Sequence, residues 1–429
     1  MIKPASIPIR HIILQENALA KLTEIVAESG FLKPFFLFDR TTYAIAGDLI
    51  EAQLLQANTA YRFYIIPEDE PTPDEAAVGK VLIHMPHDCD LMIGVGSGTI
   101  NDLSRYISFK LHLPYMILAT APSMDGFASG VAPLIVDHMK TTYEAQAPYA
   151  ILGDLNLIKA APVNMIAAGV GDILGKHTCL CDWAISSLIT GEYHSKDIED
   201  MVRQSIAAVT ANIEQARDRE PGAIQSIMEA LILSGIAMSL AGNSRPASGS
   251  EHHLSHYWEM MYLFDRKKPV LHGTKVGIAA IAILHAYELL FKMEIDFEQA
   301  RKNALNYSSA VWEENMRTAY KKAAPSVIAL EKELHKNSPE NVLQRIDRLE
   351  AHWSECKELA AALPAAEYIR ELLLILSAPV SPAEVGIDKA TFINSFLAAK
   401  ELRNRFGLLQ ILFDLGLAEE IAEQIWSLY

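Results

Sequence analysis

His252 and His256 lie four residues apart in the stretch SRPASGSEHHLSHYWEMMYLFDRKKPVLHG, Ser244 to Gly273. On a helix that spacing puts both imidazoles on one face. A third histidine, His272, follows in LHG, and an acid, Asp172, sits earlier in the apolar helical pattern of GDILGKH. An unpaired carboxylate is costly to bury in such a pattern, so Asp172 calls for a partner. Two neutral imidazoles and one carboxylate form the type of set that holds a divalent metal and leaves a coordination position for substrate. With fourteen histidines in the chain, a chance pair at helical spacing is easy, and the surroundings must add weight. They do: SRPASGSEHHLSH gathers small residues, one arginine and three histidines, where a solvated helix face favours Lys and Glu.

A second stretch with chemistry in it is GVGSGTINDLSRY, Gly94 to Tyr106. The apolar run LMIG, Leu91 to Gly94, leads straight into it, and the glycine-rich turn opens a helix whose free backbone N–H groups and dipole favour a phosphate. Gly94, Gly96 and Gly98 follow G-x-G-x-G, which departs from the dinucleotide fingerprint G-x-G-x-x-G. The turn comes after the third predicted strand, and the strand-end acid Asp39 precedes it, an order unlike a standard Rossmann half. Asp39 is a candidate acceptor for the adenine-ribose hydroxyls of a nicotinamide dinucleotide, and equally a helix N-terminal acid for Thr41 onward. Arg40 beside it suits a 2′-phosphate, so NAD and NADP both stay open.

The elements that must position these residues alternate through the first 160 residues, helical patterns between short apolar runs, as a parallel α/β sheet does. We expect a helix over Asn17 to Ser29 closed by Gly30, the strand PFFLFDR, a helix over Tyr43 to Gln56 and a strand over Tyr61 to Ile66. Thr72 as N-cap, with Pro73 and Glu75 after it, predicts a helix running to His84. The strand Tyr115 to Ala119 ends in TAPSMDGFAS, where Asp125 by itself reads as a turn residue. VAPLIVD and YAILGDLNLI read as a hairpin before Pro162. From there the pattern is helical almost without interruption, which divides the chain into an α/β domain, 1–161, and an all-helical domain, 162–429. Leu231 to Leu240 and Val276 to Leu284 read as buried core helices, and Tyr307 to Glu350 as solvated outer ones.

Length agrees with two domains, since 429 residues exceed what one core usually fills. The balance of 37 basic and 53 acidic residues, net −16, opposes nucleic acid and anionic membranes as partners, and an anionic substrate needs a local positive site. MIKPASIPIRHIILQ lacks the apolar core of a leader, and no stretch reaches the roughly 18 uncharged apolar residues of a membrane span, so a soluble cytoplasmic protein is expected. Cys89, Cys179, Cys181 and Cys356 are too irregular for a disulfide framework, and Cys179 with Cys181 reads as two buried helix thiols.

The motifs GVGSGTINDLSRY, TAPSMDGFAS, GDILGK, SRPASGSEHHLSH and LHGTKVG, in that order, resemble those of the sn-glycerol-1-phosphate dehydrogenases. That family shares a superfamily with glycerol dehydrogenase, iron-type alcohol dehydrogenases and dehydroquinate synthase. The resemblance is nearest the bacterial AraM-like branch and extends to the tail FLAAKELRNRFGLLQILFDLG. It implies a dehydroquinate-synthase-like fold, a homodimer, and NAD(P)H-linked reduction of dihydroxyacetone phosphate to sn-glycerol 1-phosphate for phospholipid synthesis. It implies Asp172, His252 and His272 as ligands of one divalent metal (Zn, Ni or Fe). Asp125 and His256 would contact substrate, with Asp172 and His256 catalytic. Gly96, Gly98, Thr99, Ile100, Asn101, Asp102, Thr120, Ser123 and Ser129 would line the nucleotide, with Asp39 on its ribose. For the substrate phosphate, Arg245, Ser248 and Ser250 are candidates because guanidinium and small-residue backbone suit it. A polyol dehydrogenase, a dehydroquinate-synthase-like cyclase and an inactive nucleotide-binding regulator stand as alternatives; the cyclase pattern has glutamate where this chain has Asp172.

Overall fold

A computed structural model describes residues 9–136 and 139–429 of the chain. Residues 1–8 of the segment read above for a leader, and Asp137 of VAPLIVD, lie outside the described residues. The first part of the chain supplies β1 (His11–Gln15), α1 (Leu22–Glu28), β2 (Pro34–Asp39), α2 (Arg40–Gln56), β3 (Arg62–Ile66), α3 (Glu75–His84), β4 (Leu91–Gly96), α4 (Gly98–Lys110) and β5 (Tyr115–Ala119). Then come β6 (Val131–Val136), β7 (Met139–Glu144) and β8 (Ala150–Asp154). Six strands form one parallel sheet in the order β1-β8-β5-β4-β2-β3.

Its two faces follow from the period of two along each strand. Phe35, Leu37, Ile117 and Ile151 join a core with the helices of the second half, while Phe36, Phe38, Met116, Leu118 and Leu152 pack with Leu22 and Ile50 of α1 and α2. Between β2 and β4 the chain reverses its direction across the sheet, because β2 leads outward to β3 and β4 returns on the other side. Such a switch point leaves a crevice at the carboxyl ends of the strands, where α/β folds bind nucleotides.

Three local expectations need correction. VAPLIV pairs antiparallel with MKTTYE in a separate hairpin, and AILGD enters the main sheet between β1 and β5. MKTTYE has too little apolar content to stand out as a strand. The half-exposed edge strand β1 was not anticipated, so the glycine-rich turn follows the fourth strand rather than the third. Asp74, not Thr72, caps α3: its carboxylate accepts the Ala77 N–H at 2.8 Å, and Thr72 donates to Asp74.

The second part is helical: α5 (Leu155–Ile158), α6 (Val163–Leu174), α7 (Lys176–Thr190), α8 (Lys196–Ala211), α9 (Ile213–Arg217), α10 (Pro221–Ala241), α11 (Ser250–Phe264), α12 (His272–Leu290) and further helices to Ala418–Trp426. α10 and α12 are long and apolar enough to cross a membrane by length and composition, although each carries charged residues. Over half of the most apolar window of α10 and 78% of that of α12 is buried, as core helices require. The stretch Tyr307 to Glu350 is less uniformly solvated than expected. Lys336 and Asn337 are buried there in an ion network with Lys400 and Glu401, and Arg345 grips Asp414 with two bonds of 2.6 and 2.8 Å.

Candidate metal centre and active site

Gly171 and Gly273 decide how closely α6 and α12 approach. A Cβ on Gly171 would lie 2.5 Å from the Gly273 carbonyl oxygen, and one on Gly273 would run into the Ala168 carbonyl, so the two backbones can touch only as glycines. Asp172 and His272, each adjacent to one of these glycines, are thereby brought together, and His252 reaches them from α11. The three offer ligand atoms all within 4.8 Å of one another. His252 Nε2 lies 3.6 Å from Asp172 Oδ1, and the His252 and His272 rings are 5.3 Å apart.

The residues fit a divalent metal on two observations. His252 Nδ1 is 2.7 Å from Glu251 Oε1, a bond that fixes the ring with Nε2 toward the cluster, as outer carboxylates do for ligating histidines. Glu251 is itself held by the Thr178 hydroxyl at 2.6 Å and the Gly249 N–H at 2.8 Å. His272 Nδ1 is buried with no hydrogen-bond partner, a costly state that a cation or ligand would relieve.

Lys176 is the residue that sequence reasoning left without a role. Four residues after Asp172 on the helical repeat, it places Nζ 2.6 Å from Asp172 Oδ1 and 2.8 Å from Asp125 Oδ2. The Asp125 backbone N–H donates to Asp172 Oδ2 at 3.0 Å, and the Ser234 hydroxyl donates to Asp125 Oδ2 at 2.8 Å. Two carboxylates thus share one ammonium in a dry setting. Burial, and then the Asp125 charge, push Asp172 up to about 7 against the pull of Lys176. Burial opposes ionisation of Asp125 too, but the Lys176 charge outweighs it and holds that carboxyl below its ordinary value. The spacing in GDILGK was the available signal.

His256 stands beside the cluster, 6.0 Å from the His252 ring and 5.4 Å from that of His272. Its Nδ1 faces Glu259 at 3.5 Å, and Glu259 pairs with Lys140 at 2.9 Å and Lys275 at 3.4 Å. Titration near neutral pH does not survive the fold. Burial lowers His256 to about 4 although Glu259 works the other way, so the imidazole is neutral at pH 7. His256, Glu259 and His272 form a second trio within ligand reach, but two lysines on Glu259 already supply its positive charge.

At the switch point, Gly96 ends β4 and Gly98 begins α4. A Cβ on Gly98 would meet only Met124 at 3.7 Å, and no side chain caps α4, which leaves its first N–H groups open toward the crevice. Ser97 instead bonds Ser123 at 2.5 Å, and the Thr120 N–H donates to the Gly96 carbonyl at 3.1 Å, tying the loops after β4 and β5 together. Thr99 lies on the first turn. Ile100 is buried and offers backbone alone. Asn101 is buried with Nδ2 3.3 Å from the Gly126 carbonyl and Oδ1 unpartnered. Asp102 pairs with Arg105 at 3.1 Å, and burial raises it to about 6 against that charge. The Ser129 hydroxyl is taken up by Val131, donating to its carbonyl at 3.2 Å and accepting its N–H at 3.1 Å. Asp39 closes β2 as the N-cap of α2, accepting the Thr42 N–H at 2.7 Å, and Arg40 pairs with Asp69 at 2.9 Å.

The chain is 32% identical to the glycerol-1-phosphate dehydrogenase (NAD(P)+) of Geobacillus stearothermophilus over 417 residues, 96% of this chain and 94% of that one. Its identity to the enzyme of the same name from Bacillus subtilis (strain 168) is 34% over 414 residues, 96% and 92% of the two chains. The chain belongs to the glycerol-1-phosphate dehydrogenase family. Residues 13–162 also match the wider family described as iron-containing alcohol dehydrogenase. In fold the chain is similar to an alcohol dehydrogenase from Oenococcus oeni, with a TM-score of 0.65 at 16% identity and 98% of each chain covered.

The residues that were candidates for the substrate phosphate, Arg245, Ser248 and Ser250, have protein partners of their own. Arg245 does not face the metal centre with free donors. It is buried in an ion pair with Glu192 (2.5 and 2.8 Å), donates to the Phe406 carbonyl at 2.7 Å and contacts the Ser186 hydroxyl at 3.1 Å. Ser250 gives both its N–H and hydroxyl to Asp182, and the Ser248 carbonyl accepts from Arg405 at 3.0 Å. Asp182 also accepts from Tyr287 and the Leu408 N–H, so Ser250 shares in a brace between helices.

Proposed function

We propose that the chain catalyses reversible NAD(P)H-linked reduction of dihydroxyacetone phosphate to sn-glycerol 1-phosphate, with Asp172, His252 and His272 holding one divalent metal. The chief support is the convergence of a carboxylate and two imidazoles, from three helices, directly bonded through Asp125 N–H to the loop that follows β5. When bound, a Zn, Ni or Fe(II) ion supplies Lewis-acid polarisation of the ketone, and the nicotinamide supplies the hydride.

The chain's own residues supply position and protons. Lys176 and Ser234 occupy Oδ2 of Asp125, leaving Oδ1 to accept a bond from the substrate hydroxyl. Lys176 also keeps the Asp125 and Asp172 carboxylates side by side despite their repulsion. The product alcohol needs one proton at the former carbonyl oxygen. His256 relays it: its neutral ring keeps the N–H on Nδ1 toward the Glu259 carboxylate, so the bare Nε2 takes a proton from water and hands it on to that oxygen, and the same relay runs backward in oxidation. The loops after β2, β4 and β5 would hold the nucleotide: Gly96, Gly98, Thr99 and the backbone of Ile100 would take its phosphates, Asn101, Asp102, Thr120, Ser123 and Ser129 would line its path, and Asp39 would take the ribose. The α/β part, 1–161, thus serves the nucleotide and the helical part, 162–429, the metal and substrate. A cytoplasmic homodimer belongs to the same proposal, checked by light scattering and fractionation.

The test is elemental analysis of the purified protein beside NADH oxidation, with dihydroxyacetone phosphate or unphosphorylated dihydroxyacetone, before and after chelation. Preferred turnover of the phosphorylated ketone, lost on chelation and restored by one added ion, is the expected outcome. Equal or better turnover of dihydroxyacetone makes it a polyol dehydrogenase, and no NADH oxidation by metal-loaded protein ends the proposal.

A further inference from the structure

A phosphorylated substrate needs a cation that the fold has not already used, and this protein's net charge of −16 makes the need acute. Lys176 is shared between Asp125 and Asp172. Lys140 and Lys275 both belong to Glu259, and Lys275 also donates to the Val270 carbonyl at 2.8 Å. Arg245 is held by Glu192. Arg403 differs from all of these: among the described residues, none of its guanidinium N–H groups has a hydrogen-bond acceptor or an acidic partner within ion-pair distance.

Its place is fixed from both sides. The short 3-10 helix Ala399–Leu402 just before it packs on α11, the helix that carries His252, His253 and His256. Just after it, Arg405 bonds the Ser244 hydroxyl at 2.5 Å and the Ser248 carbonyl at 3.0 Å, in the loop leading into α11. Arg403 is therefore held, partly buried, beside α11 between two anchored neighbours. Its charge is among those that, after burial, depress the basicity of His252, His253 and His256. His253, whose basicity burial and then the charges of Arg405 and Arg403 lower, is 5% exposed, and its Nε2 is a buried atom with no partner among the described residues.

We infer that Arg403, backed by His253 Nε2, binds the phosphate of the substrate and sets the preference for a phosphorylated ketone over its unphosphorylated form. The inference rests on the proposed reaction, and it replaces Arg245 in the role of phosphate ligand. A guanidinium fork is matched to phosphate oxygens, and burial, which lowers the basicity of Arg403, leaves it a charge that an anion would stabilise. Partial exposure lets the anion enter, and burial makes each bond stronger than it would be at the surface.

The experiment compares wild type, Arg403→Gln, Arg403→Lys and Arg245→Ala, each checked for a folded circular dichroism spectrum and bound metal. The readouts are kcat/KM for dihydroxyacetone phosphate, the same for dihydroxyacetone, and calorimetric titration of sn-glycerol 1-phosphate. Arg403→Gln should lower the ratio of the two kcat/KM values about 100-fold and weaken sn-glycerol 1-phosphate binding by a similar factor, as loss of a buried charge-assisted pair does. Arg403→Lys should recover part of the ratio. Arg245→Ala should lower thermal stability and leave the ratio near that of wild type. An unchanged ratio in folded Arg403→Gln overturns the inference even though the wild type turns over the phosphorylated ketone. Failure of wild type on that ketone instead defeats the proposed reaction itself.

Discussion

Asp172 and Glu401 are both carboxylates sealed inside the helical half, each beside a lysine, and burial ends differently for the two. Glu401 meets two ammonium groups, Lys400 in contact and Lys336 at 2.9 Å, with Asn337 and Trp312 donating at 2.8 and 3.1 Å. Burial opposes its ionisation, yet the charges of Lys400 and Lys336 win and hold it down at about 2. Around Asp172 the stoichiometry is reversed, one ammonium for two carboxylates, and the acid rises to about 7. The first cluster is complete as a structural brace. The second is short of positive charge and contains an imidazole nitrogen without a partner among the described residues, and that shortage is what supports a cation at the proposed site.

The largest effect should come from Asp172→Ala or His252→Ala. Either should drop kcat/KM about 10³-fold, with metal content falling below one equivalent by elemental analysis. Full metal occupancy in both variants would erase the contrast between the clusters. Glu401→Gln should cost about 3–5 kcal/mol in urea unfolding, since two buried ammonium groups lose their counter-charge. A cost under about 1 kcal/mol would place that network among ordinary surface pairs. His256→Ala should lower kcat about 10²-fold while the metal stays bound, because the residue faces the cluster without completing it.

The two carboxylates should also respond to pH with opposite sign. The folded pKa of Asp172 is raised, so the metal-free fold binds more protons than the unfolded chain between about 4 and 7, and stability falls as pH rises through that window. The folded pKa of Glu401 is depressed, so its contribution is present above the ordinary 4.5 and lost as pH falls toward about 2. Melting metal-free wild type and Asp172→Asn from pH 5 to 8 should show a decline of a few degrees in the first that the second lacks. Asp39 offers a mild third case, a carboxylate used as a cap. Asp39→Ala should cost about 1 kcal/mol and raise KM for the nucleotide; loss of stability with an unchanged KM would confine it to capping α2.

Much of this was legible in the sequence because it was local. The glycine turn after an apolar run, Asp39 at a strand end, and His252 four residues before His256 each state their geometry within one element. GDILGK also carried the Asp172–Lys176 contact, as a plain helical i, i+4 pair. What escaped depended on distant partners. Arg245 and Arg403 are alike as letters, and only the fold shows that Glu192, 53 residues away in the chain, has taken the first and that no acid among the described residues pairs with the second. β1 and MKTTYE escaped for another reason, an exposed edge and a polar composition. The pKa of His256 escaped because burial on α11 is a property of what packs over it.

The hydrogen bond from Asp125 N–H to Asp172 joins the loop after β5, which borders the crevice proposed for the nucleotide, to a proposed ligand of the metal. Any nucleotide that stiffens the loop therefore favours the ligand orientation the ion wants, and the ion must tighten the dinucleotide by the same factor. Holoenzyme would then assemble cooperatively: scarce metal would be retained best by molecules already carrying coenzyme, and dialysis against coenzyme-free buffer would strip both together.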